Sequence, residues 1–275
     1  MNFKEYLLSN TSLLERTAIL YDRTIKRFLR EYDEATVENI NKFIIDSSKN
    51  KRSLYVKYAF KYYLRYINKE EIYDKLISVK KSMKKKQGTY LSRKELMKIV
   101  NGIENKAHKI VALIQFLTGA RAHDVLSIRS DEVKKDEEWM GKGVLQIRLR
   151  TKGNKERYVF IGQSYSDRIW YFIKKRNKKY PFLDMDESED LRKVIDRNYR
   201  YYYNSIKKSA KKCGYENFAT HDFRRNFAND VYEKETKDIR YLANALGVTE
   251  TTALIYIKKK LEKDKAREIM MKIRP

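Results

Sequence analysis

The sequence predicts a mostly α-helical chain with one small antiparallel β-sheet, an α+β protein of two domains. Three observations carry this expectation. Apolar residues recur at three- and four-residue spacing along most of the chain. Strand-like runs occur convincingly only within residues 143–162. The stretch VKKSMKKKQGTY, residues 79–90, is basic, carries a glycine and has few apolar residues, as an interdomain linker does. The expected division is a helical domain over 1–78, a linker over 79–90 and a second domain over 91–275. With 275 residues and 42% hydrophobic content, the chain is long enough for two cores.

In the first domain, Leu13, Leu14, Thr17, Leu20, Tyr21, Ile25, Phe28 and Leu29 keep helical spacing. Val37, Ile40, Phe43 and Ile44 mark a second helix. Leu54, Tyr55, Tyr58, Tyr62 and Tyr66 mark a third, and Ile72, Tyr73, Leu76 and Ile77 a short fourth. The polar faces are rich in Lys and Arg.

The second domain begins with Ser92 and Glu95, a capping box ahead of Leu96, Ile99 and Val100. A buried helix with Ile110, Leu113, Ile114 and Leu117 follows and stops at Thr118-Gly119. Asp124, Val125, Leu126 and Ile128 open another short one. GVLQIRLR and RYVFIG form a hairpin across TKGNKE, with a weaker strand signal near Glu132–Glu137. Ile169, Trp170 and Ile173 predict a helix ending before Pro181, and a long helix spans Leu191 to Ile206. Thr220 is the expected N-cap of a helix whose buried stripe is Phe223, Phe227 and Val231. Ile239, Leu242, Ala245 and Leu246 predict the next helix, ended by Gly247. A third short helix then carries Tyr256. A charged helix over 260–273, with Leu261, Ile269, Met270 and Ile273 as anchors, closes the chain.

Sixty-two Lys and Arg residues against 37 Asp and Glu give a formal net charge of +25, an excess that points to a polyanionic partner, nucleic acid first. A Lys-rich surface from compositional bias is the plainer explanation of the same number. Cys213 is the single cysteine, so no disulfide framework is possible within the chain, and no His/Cys cluster has zinc-ligand spacing. MNFKEYLLSN has no signal-peptide core, and no apolar run approaches the ~20 residues of a membrane span. The expectation is a cytoplasmic protein with no metal, no cofactor and no membrane association.

Cleaving a phosphodiester without metal needs forked cations on the phosphate, a nucleophile, and an acid for the leaving oxygen. Arg121, Lys152, His221, Arg224 and Tyr256 offer such a set in chain order. TGARAHDV at 118–125, TKGNKERYVFI at 151–161, HDFRRNFA at 221–228 and the segment bearing Tyr256 resemble the ordered motifs of the tyrosine recombinases. The resemblance covers residues 91–260. It implies a helical, SAM-like core-binding domain over 1–78 and a catalytic domain over 91–275. By it, Tyr256 forms a 3′-phosphotyrosyl bond, Arg121 and Arg224 clamp the phosphate, and His221 supports the clamp. Lys152 acts as general acid and Asp124 braces Arg121. The implied partners are double-stranded DNA and further copies of the chain, a tetramer on paired sites with exchange of the C-terminal helix. A virus or mobile element is a fitting source. One departure stands out: the family usually carries His or Trp after the Leu-Gly pair, and here Val248 follows Leu246-Gly247.

Alternatives stand beside this reading. Lys155 rivals Lys152 within the turn, and Tyr232 and Tyr241 rival Tyr256. IRYLANALGVTETTALIYIKK also reads as a helix-turn-helix, which would make the chain a DNA-binding regulator with Tyr256 as a packing residue. A type IB topoisomerase uses the same chemistry without strand exchange.

Overall fold

The computed structural model describes residues 1–48, 53–79, 89–136, 143–151, 155–186, 188–233 and 238–257. The chain forms two compact units, Met1–Lys86 and Gln87–Pro275. It is mostly helical, with a single three-stranded antiparallel sheet among the described residues.

Among its described residues the first unit holds four helices: α1 (Phe3–Asn10), α2 (Glu15–Glu31), α3 (Val37–Ser48) and α4 (Ser53–Tyr66), followed by a 3-10 turn at Glu70–Lys75. The apolar periodicity does not mark α1, yet it forms because Asn2 and Glu5 cap it reciprocally. Phe3 and Leu7 bury its inner face. In α2 the spacing of Ala18, Tyr21, Ile25 and Phe28 brings all four to one buried face. Phe28 meets Phe60 edge-on at 4.8 Å and Phe43 at 5.4 Å, which centres the core on an aromatic cluster. Lys57 donates to the carbonyls of Leu76 and Ile77, tying the end of the unit back to α4.

The second unit is built around α6 (Lys106–Thr118), whose residues from Ile110 to Phe116 are all buried. Helix α5 (Arg93–Asn101) opens the unit with the expected Ser92–Glu95 box. After α7 (Ala122–Leu126) come strands β1 (Val133–Asp136), β2 (Val144–Thr151) and β3 (Lys155–Ile161), in the order β1-β2-β3. The weak strand signal near Glu132 is therefore a real edge strand, paired Val133 to Ile147. Val133, Leu145, Ile147, Leu149, Val159 and Ile161 bury one face of the sheet, while Tyr158 and Phe160 are exposed. Helices α8 (Gln163–Arg176) and α9 (Leu191–Lys212) complete the large core. Then α10 (Thr220–Val231), α11 (Ile239–Leu246) and α12 (Glu250–Leu254) follow.

Two expectations are corrected here. Thr220 is the first helical residue of α10 rather than its cap; Ala219 precedes it, and Asp222 accepts from the Ala219 N–H at 2.8 Å. Tyr256 lies just beyond α12, where its N–H bonds the Ala253 carbonyl at 2.9 Å, so a turn and not a helix delivers it. Lys152, the lysines of 80–88 and the tail over 260–273 lie outside the described residues.

Candidate active site

Three chain segments converge because each ends where its backbone must turn. Helix α6 stops at Gly119, which is left-handed at φ 62° and bonds the Gln115 carbonyl. A Cβ there would come within 2.4 Å of the Phe227 ring, so the close approach of α10 also demands glycine. Gln115 fixes the exit: it donates to the Ala120 carbonyl at 2.9 Å and accepts from the Tyr202 hydroxyl at 2.6 Å. Arg121 follows at once as the residue before α7.

Arg224 sits one turn into α10 with no exposed surface. Its Nη1 donates to the Gly119 carbonyl and its Nη2 to the Leu246 carbonyl, both at 2.7 Å. Its Nε donates to the Tyr256 hydroxyl at 3.3 Å. One guanidinium thus joins the end of α6, the end of α11 and the phenol. Burial lowers the pKa of Arg224, yet the guanidinium stays charged at any physiological pH. Tyr256 is 7% exposed and packs with Ala228, Leu242 and Leu246 in a small separate core. Asn229 holds its carbonyl at 2.8 Å.

His221 lies one helical turn before Arg224, and its ring centroid is 5.4 Å from that of Tyr256. Burial of its inner side, then the Arg225 and Arg224 charges, push the imidazole down to about 4, although its outer edge is open to solvent. Arg121 is half-buried and lies 3.7 Å from Asp124, which is buried. Burial raises the Asp124 pKa against the opposing pull of Arg121, Arg157 and Arg224. The structure therefore brings Arg121, Asp124, His221, Arg224 and Tyr256 together in the second unit. Lys152 falls between Thr151, the last residue of β2, and Lys155, the first of β3.

Sequence reasoning missed Arg157. It projects from β3 into the site, and its Nη1 donates to the Ala245 carbonyl. Burial and the neighbouring Arg224 bring its guanidinium down to about 10. The signal was present: strand alternation places Arg157 on the same face as buried Val159 and Ile161, where an arginine is unusual. Val248, at the position of the family's usual His or Trp, packs beside Leu242 and Leu246, and Thr249 caps α12. The other two histidines are accounted for locally: His108 bonds Ser205 at 2.7 Å, and His123 stacks on Tyr199.

Residues 89–262 match the phage integrase family. Tyrosine recombinase XerA of Pyrococcus horikoshii is 25% identical over 251 residues, 89% of this chain and 83% of that protein. Tyrosine recombinase XerC of Leptospira interrogans is 28% identical over 171 residues, spanning 60% of this chain and 50% of the relative. A solved structure of XerH site-specific recombinase, bound to a palindromic difH substrate as a post-cleavage complex, shares the fold. Its TM-score is 0.67 at 18% identity, over 92% of this chain and 79% of the other. The matched segment takes in more than half of the sequence and every residue of the convergent cluster, and the chain belongs to the phage integrase family, the tyrosine recombinases.

Proposed function

We propose that this chain is a site-specific DNA recombinase that cleaves and rejoins strands through Tyr256. The observation that carries the assignment of residues is the Arg224 guanidinium, buried and donating at once to the Tyr256 hydroxyl and to the carbonyls of Gly119 and Leu246. Such a cation is fixed beside the phenol before substrate arrives, so its charge is already in place as charge develops. Arg224 and Arg121 take the non-bridging oxygens of the scissile phosphate. The Tyr256 oxygen attacks phosphorus, the bond to the 5′ oxygen breaks, and a 3′-phosphotyrosyl linkage stores its energy. Lys152 protonates the departing 5′ oxygen. His221, neutral in the free protein, takes up the phenol proton. Attack by a 5′-hydroxyl from a second duplex reverses these steps and frees Tyr256. Asp124 braces Arg121. The positive charge that the chemistry needs comes from arginines, and the reaction proceeds without metal.

The basic first unit binds the flanking duplex as a core-binding domain, and the excess of positive charge makes that binding steeply salt-dependent. A two-fold symmetric site, like the palindromic substrate of XerH, seats a pair of subunits, and exchange between two duplexes requires four. The tail over 260–273 is the element proposed to pass between neighbours. The protein acts on DNA inside the cell, as an enzyme of a mobile element.

The regulator reading fits less well. Helix α12 has five residues, and Tyr256 is buried against Arg224 rather than presented on a recognition helix. The test is a nicked suicide substrate with wild type beside Tyr256→Phe on a denaturing gel. A covalent band with wild type alone supports the proposal. Its absence on a verified binding site would return the chain to the regulators. Strand exchange between two duplexes separates a recombinase from a topoisomerase.

A further inference from the structure

Helix α10 buries two asparagines, Asn226 and Asn229, three residues apart and so on one face. Asparagine is a poor helix former, and a buried amide has to find hydrogen-bond partners. Each of the two bonds back to the carbonyl four residues before it, Asp222 at 2.8 Å and Arg225 at 2.7 Å. Each also reaches main chain outside α10. Asn226 accepts from the Leu91 N–H at 2.7 Å and donates to the Thr89 carbonyl at 2.8 Å, which fastens residues 89–91, at the start of the second unit, onto α10. Asn229 donates to the Tyr256 carbonyl at 2.8 Å, so both N–H groups of its amide are used. Tyr90, between the two residues that Asn226 holds, donates its hydroxyl to the same Tyr256 carbonyl at 3.5 Å and stands within hydrogen-bond reach of the Asn229 side chain.

Tyr256 has need of such an anchor. It lies past the end of α12, a helix of five residues, too short to hold its own end without packing. Its N–H is held within the turn by the Ala253 carbonyl. Its carbonyl and its hydroxyl are both held from α10, by Asn229 and by Arg224. Arg224 fixes only the tip of the phenol. Asn229 fixes the main chain from which the ring projects, and the two together set the direction of the side chain.

We propose that Asn229 is a positioning residue for strand cleavage, fixing the main chain of Tyr256 so that the phenol oxygen meets phosphorus in line. Tyr90, strapped onto α10 through Asn226, adds a second donor to the same carbonyl. Asn229 acts through the nucleophile alone and leaves the phosphate to the arginines. The inference rests on the recombinase reading above.

The test compares full-length wild type, Asn229→Leu and Asn229→Ser. Leucine fills the site without a donor. The serine hydroxyl can bond back to the carbonyl four residues earlier but does not reach Tyr256, so it spares α10 and serves alone if the leucine variant does not fold. Single-turnover cleavage is followed with folded protein in saturating excess, where the rate constant does not depend on the fraction folded. Both variants should bind DNA within about threefold of wild type and cleave about tenfold to a hundredfold more slowly, the scale expected for a displaced reacting group. Tyr90→Phe should show the same loss at smaller size. A 5′-bridging phosphorothioate should leave the deficit in place, because the fault lies with the attacking oxygen and not with the leaving one. Fluorotyrosine at position 256 gives a readout without DNA. Its fluorine resonance in the folded wild type should stand apart from that of free fluorotyrosine and should move toward it in the Asn229 variants. A wild-type rate constant in the Asn229 variants, a deficit that the phosphorothioate abolishes, or an unmoved resonance overturns the proposal and leaves the recombinase reading intact. Failure of wild type to form any Tyr256-dependent adduct overturns both.

Discussion

Arg224 donates to the hydroxyl of Tyr256 at 3.3 Å, and its guanidinium carbon stands 5.3 Å from the centre of the phenol ring. The proposed nucleophile and the proposed phosphate clamp are thus already in register. Each terminal nitrogen of Arg224 spends one N–H on a carbonyl, of Gly119 or Leu246, and keeps a second. In the proposed reaction those second N–H groups are the donors offered to the phosphate.

Tyr256→Phe removes one hydrogen bond and the proposed nucleophile while keeping the ring. Stability should fall by about 1 kcal/mol or less, since a single exchanged hydrogen bond is worth little more. DNA affinity should hold, and covalent adducts should vanish. Denaturing gels and a urea melt check both; adducts at the wild-type level would move the nucleophile elsewhere.

Arg224→Met should damage both fold and chemistry. It orphans the Gly119 and Leu246 carbonyls and frees the turn after α11. A loss of roughly 3 kcal/mol or more is expected for a buried, fully engaged guanidinium. Arg224→Lys should retain more stability yet still cleave at least about a hundredfold more slowly, because an ammonium offers no fork. Equal cleavage by the lysine variant and wild type would count against the clamp.

His221 predicts a pH effect. Its imidazole titrates at about 4 in the folded protein against an ordinary 6.5. Between these values the unfolded chain binds the proton and the folded protein does not. This contribution to stability is therefore complete above about 6.5 and is lost as the pH falls toward about 4. Melting curves of wild type and His221→Gln should diverge over that window, with the glutamine variant gaining relative stability as the solution is acidified. A pH-independent difference between them would contradict the depressed imidazole.

Lys152→Ala should slow cleavage of an ordinary phosphodiester by about a hundredfold or more, the usual scale of general-acid catalysis. A 5′-bridging phosphorothioate should restore most of the rate. Lys155→Ala should do neither. If Lys155 and not Lys152 shows the rescue, the acid is the second lysine of the turn.

Chelation of divalent ions should leave single-turnover cleavage unchanged if, as proposed, Arg121 and Arg224 offset the charge of the phosphate. Loss of cleavage, as distinct from loss of DNA binding, would place a metal in the reaction.

Much of this molecule was legible in one dimension because its signals are local. The Ser92–Glu95 cap, the stop at Gly119 and the left-handed close of α11 at Gly247 depend on a few neighbouring residues, and all three stand where the sequence places them. The motifs around Arg121, His221, Arg224 and Tyr256 could be recognised in order for the same reason. Helix α1 lies within the stretch 1–77 that reads as all helix, although no apolar stripe marks it, because two reciprocal caps and two buried residues suffice for eight residues. The edge strand β1 was faint because it is only four residues long and its ladder partners lie eight to fourteen residues away.

Chain order and residue type alone determined the fold class, the basic character of the protein and the family to which it belongs. Tertiary structure alone decided which charges meet. It buried Arg224 between two helix ends, placed Tyr256 beyond α12 in a turn, and turned Val248 into packing. It also brought Arg157 from a strand to the far end of α11. These are contacts between segments up to about a hundred residues apart, set by how cores pack rather than by local propensity, and no local pattern encodes them.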